Sequence, residues 1–334
     1  MEVTANVAEE DELAWRPLTD ADVPAVADLM VAAETVDDEG ESWGAEDLAE
    51  ELAGPGIDRR HGAFGAFTRD GRPVAMTLIW ARTAADPVHE MFTWAVLHPR
   101  WRGRGIGADL TERGVAAAAK ISALRFPGAP AVLQRDAYER RTDLLEHLER
   151  HGFTARHYDI AMERRIDPED AGAEPAPPKG YGLARFTAEV AEEFRTIHNV
   201  AFVLDHPGST VQTPEYWAAR VGSESFRADL TFGLREQATG ELAGYVLSRY
   251  YEADTAATGR RDVYLDYIGT GREHRGRGVA SALIATVVHT AARQGFDSAS
   301  LSMRSDNPSG ALGVYERAGF ALRRRFVSYA RDLS

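Results

Sequence analysis

The sequence contains no cysteine. This absence excludes a disulfide framework, a cysteine-ligated zinc or iron–sulfur site, and a thiol nucleophile that would carry an acyl group. It is compatible with a reducing cytoplasm. The sequence also lacks a signal-peptide pattern at its acidic start, and no run approaches the roughly 18 apolar residues of a membrane span. We therefore expect a soluble, cytoplasmic protein with no membrane partner and no metal site.

Basic residues are in short supply. The chain has 38 Lys and Arg against 52 Asp and Glu, which gives a formal net charge of −14. A nucleic-acid binder would show a basic excess, so we expect no nucleic-acid partner. The acidic balance gives a small preference to a cationic acceptor through electrostatic steering. A length of 334 residues predicts about two domains.

Two segments of the chain repeat one pattern. Residues 98–107 read HPRWRGRGIG and residues 271–280 read GREHRGRGVA. Each half then ends a helical pattern in Gly-Phe, at Gly152-Phe153 and at Gly319-Phe320. Because the repeats are spaced by about half the chain, we interpret the protein as one domain in two tandem copies.

The boundary between the copies is marked by a run rich in proline and acidic residues. We predict a first domain over 1–165, a stiff connector over 166–180 and a second domain over 181–334. Each half shows a helix, a hairpin, a third strand, a glycine-rich loop, a helix, a strand, a helix and a final strand. This order predicts an α/β (α+β) fold with a mixed sheet.

In both halves an apolar strand leads into the glycine-rich loop, and the loop opens a helix. Such a loop directs backbone N–H groups and the positive end of a helix at one spot, which makes it an anion site for a phosphate-bearing ligand. It lacks the Gly-Lys-Ser/Thr of a Walker loop, and it lies too late in its domain for a dinucleotide fingerprint.

The pattern Arg-x-x-Gly-x-Gly/Ala after an apolar strand resembles the acyl-coenzyme-A-binding motif of the GNAT superfamily of N-acetyltransferases. Residues 102–107 and 275–280 both match it, and the order Asn307, Tyr315, Gly319-Phe320 resembles the segment that follows in the family. The likeness covers nearly the whole chain, as in tandem GNAT proteins including the mycothiol synthase-like members. It implies acetyl-coenzyme A (acetyl-CoA) as acyl donor.

The resemblance also implies a set of cofactor-binding residues. In the second copy these are Ile268, Gly269, Thr270, Arg275, Gly276, Arg277, Gly278, Val279, Ala280, Ser281, Asn307 and Tyr315. Whether the first copy binds the cofactor stays open; its matching residues are Arg102, Gly103, Arg104, Gly105, Ile106 and Gly107.

Three residues of the second copy are candidates for catalysis. Tyr315 matches the family tyrosine that protonates the departing thiolate. Asp266 interrupts an apolar strand, where a carboxylate is costly without a partner, so it is either the base that accepts the amine proton or a salt-bridged residue. Strand alternation places Tyr264, Asp266 and Ile268 on one face, and Tyr264 is the alternative to Asp266.

Acceptor recognition is expected around the end of the first helix of the second copy, because this region forms a wall of the acceptor site in the family. The candidates are His198, Asn199, Asp205 and His206. Asn307, which precedes Pro308, is also a natural N-cap.

The first copy keeps its loop but lacks the other residues. Leu148 stands where the second copy has Tyr315, Arg140 stands at the position of Asn307, and Thr93 at that of Asp266. We predict that the first domain is catalytically silent.

The sequence therefore predicts an acetyl-CoA-dependent N-acetyltransferase for a primary amine of a small molecule, such as an aminosugar, an aminoglycoside-like antibiotic or an amino-acid conjugate. The alternatives are a non-catalytic acyl-CoA-binding or sensor protein, and an acyltransferase with another donor such as aminoacyl-tRNA. A monomer or a homodimer is expected.

Overall fold

The computed structural model describes residues 12–40, 42–203, 211–306 and 310–333. The chain forms two compact units. The first takes the residues up to Arg156 together with those from Val327 onwards, and the second comprises His157–Phe326. These units are defined by their contacts, and each includes a segment from the other half of the sequence. The division into 1–165, 166–180 and 181–334 stays a prediction of how the domains follow one another along the chain.

The first unit is an α/β unit with helices on a mixed sheet. Its strands follow the order β1-β2-β3-β4-β5-β12, with antiparallel pairing from β1 to β4 and parallel pairing between β4 and β5. Its elements are β1 (Ala14–Pro17), α1 (Val23–Asp37), α2 (Ala45–Ala53), β2 (Ala63–Phe67), β3 (Pro73–Ala85), β4 (His89–Leu97), α3 (Ile106–Arg125), β5 (Ala131–Tyr138), α4 (Thr142–Arg150) and the C-terminal part of β12 (Ala321–Leu333).

The second unit repeats this plan. Its strands follow the order β6-β11-β10-β9-β8-β7, and the pair β10 and β11 is parallel. Its elements are β6 (Thr154–Arg165, of which it takes the residues from His157), β7 (Tyr181–Arg185), α5 (Ala191–Val203), α6 (Pro214–Val221), β8 (Phe232–Glu236), β9 (Leu242–Arg249), α7 (Glu252–Thr258), β10 (Asp262–Thr270), α8 (Val279–Arg293), β11 (Ser298–Arg304) and α9 (Ala311–Arg317).

Each unit completes its sheet with a strand from the other half of the sequence. In the second unit β6 pairs with β11 in an antiparallel register from Ser298 opposite Arg165 to Arg304 opposite Asp159. In the first unit, Val327 and Tyr329 of β12 lie in the same core cluster as Leu148. The core of each unit therefore depends on residues that are remote in sequence.

The predicted connector begins as packed structure. Ile166 is buried in the core of the second unit, and Pro168–Ala171 form a 3-10 turn. The carbonyl oxygen of Asp170 lies 2.9 Å from Nδ1 of His289 on α8. The part over 166–171 is therefore not an extended linker, because an apolar side chain and a turn attach it to α8.

Helix α8 faces the sheet along one stripe. The stripe consists of Val279, Leu283, Val287 and Ala291, which are all buried in one core cluster with strands β8 to β11. Spacing by four places them on one face of a helix. The buried stripe fixes the start of α8 against β10, and so fixes the loop between them.

Candidate active site

Strands β10 and β11 separate halfway along their length. Their parallel pairing joins Asp262–Tyr264 to Ser298–Ser300 and ends there. Strand β10 continues to Thr270 with pairing to β9, and β11 continues to Arg304 with pairing to β6. Within the described strands, the edge of β10 beyond Tyr264 that faces β11 has no strand partner. Backbone groups need partners, so this edge can receive an extended chain that carries amides.

A β-bulge changes the orientation of β10 at the same point. Leu265 lies opposite Ser248 and Tyr267 lies opposite Leu247, so Asp266 is the extra residue. As a result Asp266 and Tyr267 both lie on the face that carries α5 and α6, while Ile268 turns to the α8 face. The prediction that Tyr264, Asp266 and Ile268 share one face is wrong, because a bulge breaks the alternation of a strand. Val263 and Leu265 are buried on the α8 face of β10, and Tyr264 between them lies on the other face, which is also the face of Asp266.

Asp266 is held by two guanidinium groups. Its Oδ2 accepts hydrogen bonds from Nη1 of Arg220 on α6 at 2.7 Å and from Nε of Arg249 on β9 at 2.8 Å. Burial by itself would raise the pKa of this carboxyl, but the two neighbouring guanidinium charges outweigh burial and hold its pKa below the ordinary value. Asp266 is therefore an ionised, paired carboxylate, which is the salt-bridged alternative of the sequence prediction.

Arg220 and Arg249 were not predicted from the sequence. Arg249 ends an otherwise apolar strand, as Asp266 interrupts one, and this was the available signal for a buried pair. Arg220 lies on a short helix that the sequence reading did not predict, so its approach to Asp266 depends on tertiary packing.

Gly269 has no room for a side chain. A Cβ at this position would lie 2.4 Å from the Tyr245 ring and 3.0 Å from Cβ of Ala201 on α5. The Tyr245 hydroxyl lies 2.7 Å from Nδ1 of His198, and burial lowers the pKa of that imidazole to about 4. The glycine therefore lets an aromatic layer from β9 and α5 pack directly on the end of β10.

The glycine-rich loop has the backbone of an anion site. Gly276 and Gly278 adopt left-handed φ angles of 70° and 83°, and Gly278 is the N-cap of α8. Its carbonyl accepts from the N–H of Ala282 at 3.0 Å, so the first-turn N–H groups up to Ser281 precede the first helical hydrogen bonds. Arg275 donates from Nε to the carbonyl of Thr270 at 3.2 Å, and Arg275 and Arg277 are exposed. The loop thus offers both N–H groups and positive charge.

Tyr315 lies on α9, which follows β11. It packs against the core cluster that contains Val279, and so does Ile268 of β10. Burial raises the pKa of its hydroxyl to about 12, and that hydroxyl has no hydrogen-bond partner in the part of the chain that the structure describes. Tyr315 is therefore a partly buried, protonated donor on the α8 side of the sheet.

The predicted acceptor residues have internal contacts. The His198 ring is buried and packs against Trp217 and Tyr267, with centroid distances of 5.3 Å and 4.8 Å. The side-chain amide of Asn199 donates to the carbonyl of Gln212 at 3.2 Å and accepts from the N–H of Gln212 at 2.8 Å. Both residues join α5 to its neighbours, and their contact with an acceptor stays a prediction. Asp205, His206 and Asn307 lie outside the described residues.

The first unit has the same loop but a different strand edge. Gly103 and Gly105 also take left-handed φ angles, 75° and 82°. Strand β4 pairs with β3 without a bulge from Met91 to Leu97, and its parallel pairing with β5 ends at Phe92 opposite Gln134. Beyond that point Nη2 of Arg135 donates to the carbonyl of Ala95 at 2.7 Å. A side chain therefore occupies the edge that is open in the second unit.

Two further residues of the first unit make internal contacts at positions where the second unit has candidate functional residues. Arg102, the counterpart of Arg275, forms a bidentate pair with Asp37 at 2.7 Å and 2.6 Å. Leu148, the counterpart of Tyr315, is buried in the core.

Among the helices in the described ranges, none has the length and apolarity needed to cross a bilayer.

Comparisons by sequence find acetyltransferases. Residues 191–320 match the model of the acetyltransferase (GNAT) family. A mycothiol acetyltransferase of Parafrankia sp. is 28% identical, with 96% of this chain and 98% of the relative covered. One from Clavibacter michiganensis is 28% identical over 78% of each chain.

Solved structures show the same fold over the whole chain. A tandem GNAT protein from the clavulanic acid biosynthesis pathway has a TM-score of 0.73 at 19% identity and covers 97% of this chain and 99% of its own. A GCN5-related N-acetyltransferase from Sphaerobacter thermophilus has a TM-score of 0.72 at 24% identity, with coverages of 97% and 96%. The predicted mixed α/β fold with two GNAT-like domains is confirmed. Residues 191–320 match the GNAT acetyltransferase family, the whole chain is similar to tandem GNAT N-acetyltransferases, and the protein is an acyltransferase.

Proposed function

We propose that the protein transfers the acetyl group of acetyl-CoA directly to a primary amine of a small molecule, and that the second unit carries the reaction. The observation that carries the proposal is the open edge of β10 beside a loop of left-handed glycines, since this pair suits a ligand with both amides and phosphates. An aminosugar, an aminoglycoside-like antibiotic and an amino-acid conjugate are the acceptor classes.

Acetyl-CoA is the acyl donor that GNAT acetyltransferases generally use, and the residues of the second unit fit it. We assign the amide-bearing arm to the backbone of Ile268, Gly269 and Thr270, on the edge without a strand partner. We assign the phosphates to the N–H groups of the loop and of the first turn of α8, over 276–281, with Arg275 and Arg277 supplying charge. Asn307, outside the described residues, keeps its predicted contact with the donor.

Tyr315 is assigned as the general acid. The amine nitrogen attacks the thioester carbonyl carbon, the amide bond forms, and the carbon–sulfur bond breaks. The departing thiolate then takes the proton of the Tyr315 hydroxyl, which water later restores. A hydroxyl with a pKa of about 12 stays protonated at neutral pH, so it is an acid and not a base in this step.

The acceptor must lose a proton, and Asp266 is a poor group to take it. Its two guanidinium partners keep it ionised and lower its basicity. We assign Asp266 a positioning role, and Tyr264, on the same face, stays the alternative polar group beside the acceptor. The proton leaves to water, directly or past Tyr264. Cationic neighbours assist, because positive charge lowers the pKa of a nearby ammonium.

We further propose that the first unit is catalytically silent. It has Leu148 in place of the tyrosine, an arginine on its strand edge, and a loop arginine paired with Asp37. Its role in this proposal is structural.

The test is a thiol-release assay with acetyl-CoA and a panel of amines, with the N-acetylated product identified by mass spectrometry. Amine-dependent thiol release in equal amount to product supports the proposal. Micromolar binding of coenzyme A without release by any amine would favour the non-catalytic sensor instead. A mycothiol-type acceptor is the second candidate, because a relative named mycothiol acetyltransferase matches along nearly the full chain.

A further inference from the structure

The face of the second unit that carries α5 and α6 has a surplus of buried positive charge. Arg220 and Arg249 share the single carboxylate of Asp266, and all three side chains are mostly covered, with 25%, 12% and 15% of their side-chain surface exposed. Two guanidinium groups and one carboxylate leave a net charge of +1 in this cluster. Buried charge is costly unless it is paired, so the cluster fits an additional anion.

The two arginines differ in how many of their N–H groups donate hydrogen bonds to described residues. Arg249 donates from Nε to Asp266 and from Nη1 to the hydroxyls of Ser223 and Ser225 at 2.9 Å and 2.6 Å. Its donors therefore hold the end of β9, the bulge and the turn after α6 together.

Among the described residues, Arg220 donates from one of its three nitrogens. Nη1 donates to Asp266, whereas the buried Nε has no partner among the described residues, and no acceptor there takes a hydrogen bond from Nη2. Nε and Nη2 form one edge of the planar guanidinium, and that edge matches the two oxygens of a carboxylate. A buried donor without a partner is costly, and a bound carboxylate would remove that cost.

This edge lies beside the proposed site of transfer. The guanidinium carbon of Arg220 is 4.8 Å from the ring centroid of Tyr267, the residue that follows the bulge at the start of the open edge. Tyr267 in turn packs on His198, in the aromatic layer over Gly269. Arg220 thus lies on the α5–α6 face of β10, while Tyr315 lies on the α8 side.

We infer that Arg220, held in place by Asp266 and backed by Arg249, is a specificity-determining residue that binds a carboxylate of the acceptor. Among the three proposed acceptor classes this selects the amino-acid conjugate. The inference rests on the proposed function, and it adds that the acceptor carries an anionic group close to its amine. Local charge here opposes the acidic balance of the whole chain, which by itself favoured a cationic acceptor.

The experiment compares dipeptides with their C-terminal amides, for example glycylglycine and glycylglycinamide, as acceptors for acetyl-CoA. We expect kcat/KM to be at least about tenfold higher for the carboxylate of each pair, because the amide cannot form the charged hydrogen bonds with Arg220. Arg220→Gln should remove this preference through a higher KM for the carboxylate. Arg260→Gln, which breaks an ion pair with Glu163 on the surface, is the matched control and should keep it.

Asp266→Asn should act in the opposite direction, because it frees both arginines for the acceptor carboxylate and lowers its KM. Equal kcat/KM for carboxylates and amides, or an equal loss of both in Arg220→Gln, would overturn the inference while acetylation itself still supports the proposed function. If Arg220→Gln does not fold, Arg220→Lys, which keeps the charge without the fork, should reduce the preference.

Calorimetry gives a readout that does not need turnover. Glycylglycine should bind the complex with coenzyme A more tightly than glycylglycinamide, and Arg220→Gln should remove the difference. Carboxylate binding without acetylation of any amine would sink the proposed function and leave the carboxylate site intact, whereas equal binding would sink the site.

Discussion

The Arg135 guanidinium donates a hydrogen bond of 2.7 Å to the main-chain carbonyl of Ala95. Ala95 lies on β4 beyond its pairing with β5, at the position that Ile268 holds on β10. In the first unit, a side chain of the same unit therefore donates to the Ala95 carbonyl. The corresponding carbonyl of the second unit, that of Ile268, lies on the open edge of β10. Counted from the Gly-Phe repeats, Ser302 stands at the number that corresponds to Arg135, and its short, exposed side chain lies on the face of β11 opposite to the buried Leu301 and Met303.

Transfer of this side chain should block the second unit. Ser302→Arg places a long cation beside the open edge of β10, and we expect it to weaken coenzyme A binding and turnover by at least about tenfold. Calorimetry with coenzyme A and the thiol-release assay measure the two effects. Ser302→Ala is the control and should behave as the wild type. Undiminished binding by a folded Ser302→Arg protein would show that the donor does not use this edge.

The reciprocal change should affect stability alone. Arg135 is one of the cations that offset the burial of Glu39, whose pKa is raised chiefly by that burial. Arg135→Ser should cost about 3 kcal/mol of the free energy of unfolding, as when a buried charge loses a partner. Urea denaturation measures this cost, and kcat under native conditions should not change. A lower kcat in fully folded protein would argue against a silent first unit.

Tyr315→Phe removes the proposed acid and keeps the packed ring. We expect kcat to fall by about a hundredfold or more, with the Kd for coenzyme A within about twofold of the wild type, because the hydroxyl acts in the departure of the thiolate. Single-turnover rates and calorimetry separate the two quantities. An unchanged kcat would leave Tyr315 as a core aromatic only.

Leu148 provides the matched position in the first unit. It is buried among Leu133, Phe153 and Tyr329, so Leu148→Ala should cost about 2–5 kcal/mol of the free energy of unfolding through lost packing. The kcat of the folded fraction should stay that of the wild type. Loss of turnover without loss of stability would give the first unit a part in catalysis.

Much of the fold follows from local patterns. The loop motif is short and strict because left-handed glycines must precede α8, and the apolar stripe at Val279, Leu283 and Val287 has the period of a helix. The strand over 262–270 is the apolar strand that the sequence predicts ahead of the loop, since apolar residues fill most of it between turn-forming segments. These features depend on neighbours in sequence, which is why the sequence predicts them.

The active-site geometry depends on contacts that the sequence pattern does not encode. A bulge at Asp266 inverts the face of Ile268, and no residue type marks it. Arg220 reaches Asp266 from a helix 46 residues earlier, so the ion pair, and with it the low basicity of the carboxylate, emerges only from packing. The strand that completes each sheet also comes from the other half of the chain, which tandem repeats in sequence do not predict.

The loop glycines allow a paired comparison. Gly278 and Gly105 are the N-caps of α8 and α3, with φ angles of 83° and 82°. Alanine at either position should cost a similar amount of stability, about 1–2 kcal/mol, because both angles are left-handed. Only Gly278→Ala should also weaken coenzyme A binding, since the second unit is the proposed donor site. Calorimetry on both variants tests this, and an equal loss of affinity would assign the donor to both loops.

The pH dependence of kcat/KM should follow the acceptor and not the protein. Asp266 has a pKa below its ordinary value, burial lowers the pKa of His198 to about 4, and burial raises that of Tyr315 to about 12. None of the three changes its charge between about pH 6 and 10. Because the ammonium must lose a proton before it attacks, kcat/KM should rise about tenfold per pH unit and level off at the pKa of the acceptor amine. For two acceptors with different amine pKa values, the rising parts of the two pH profiles should be displaced from each other by that difference. Asp266→Asn should not move either profile along the pH axis. A limb at one fixed pH for every acceptor would instead identify a base on the enzyme.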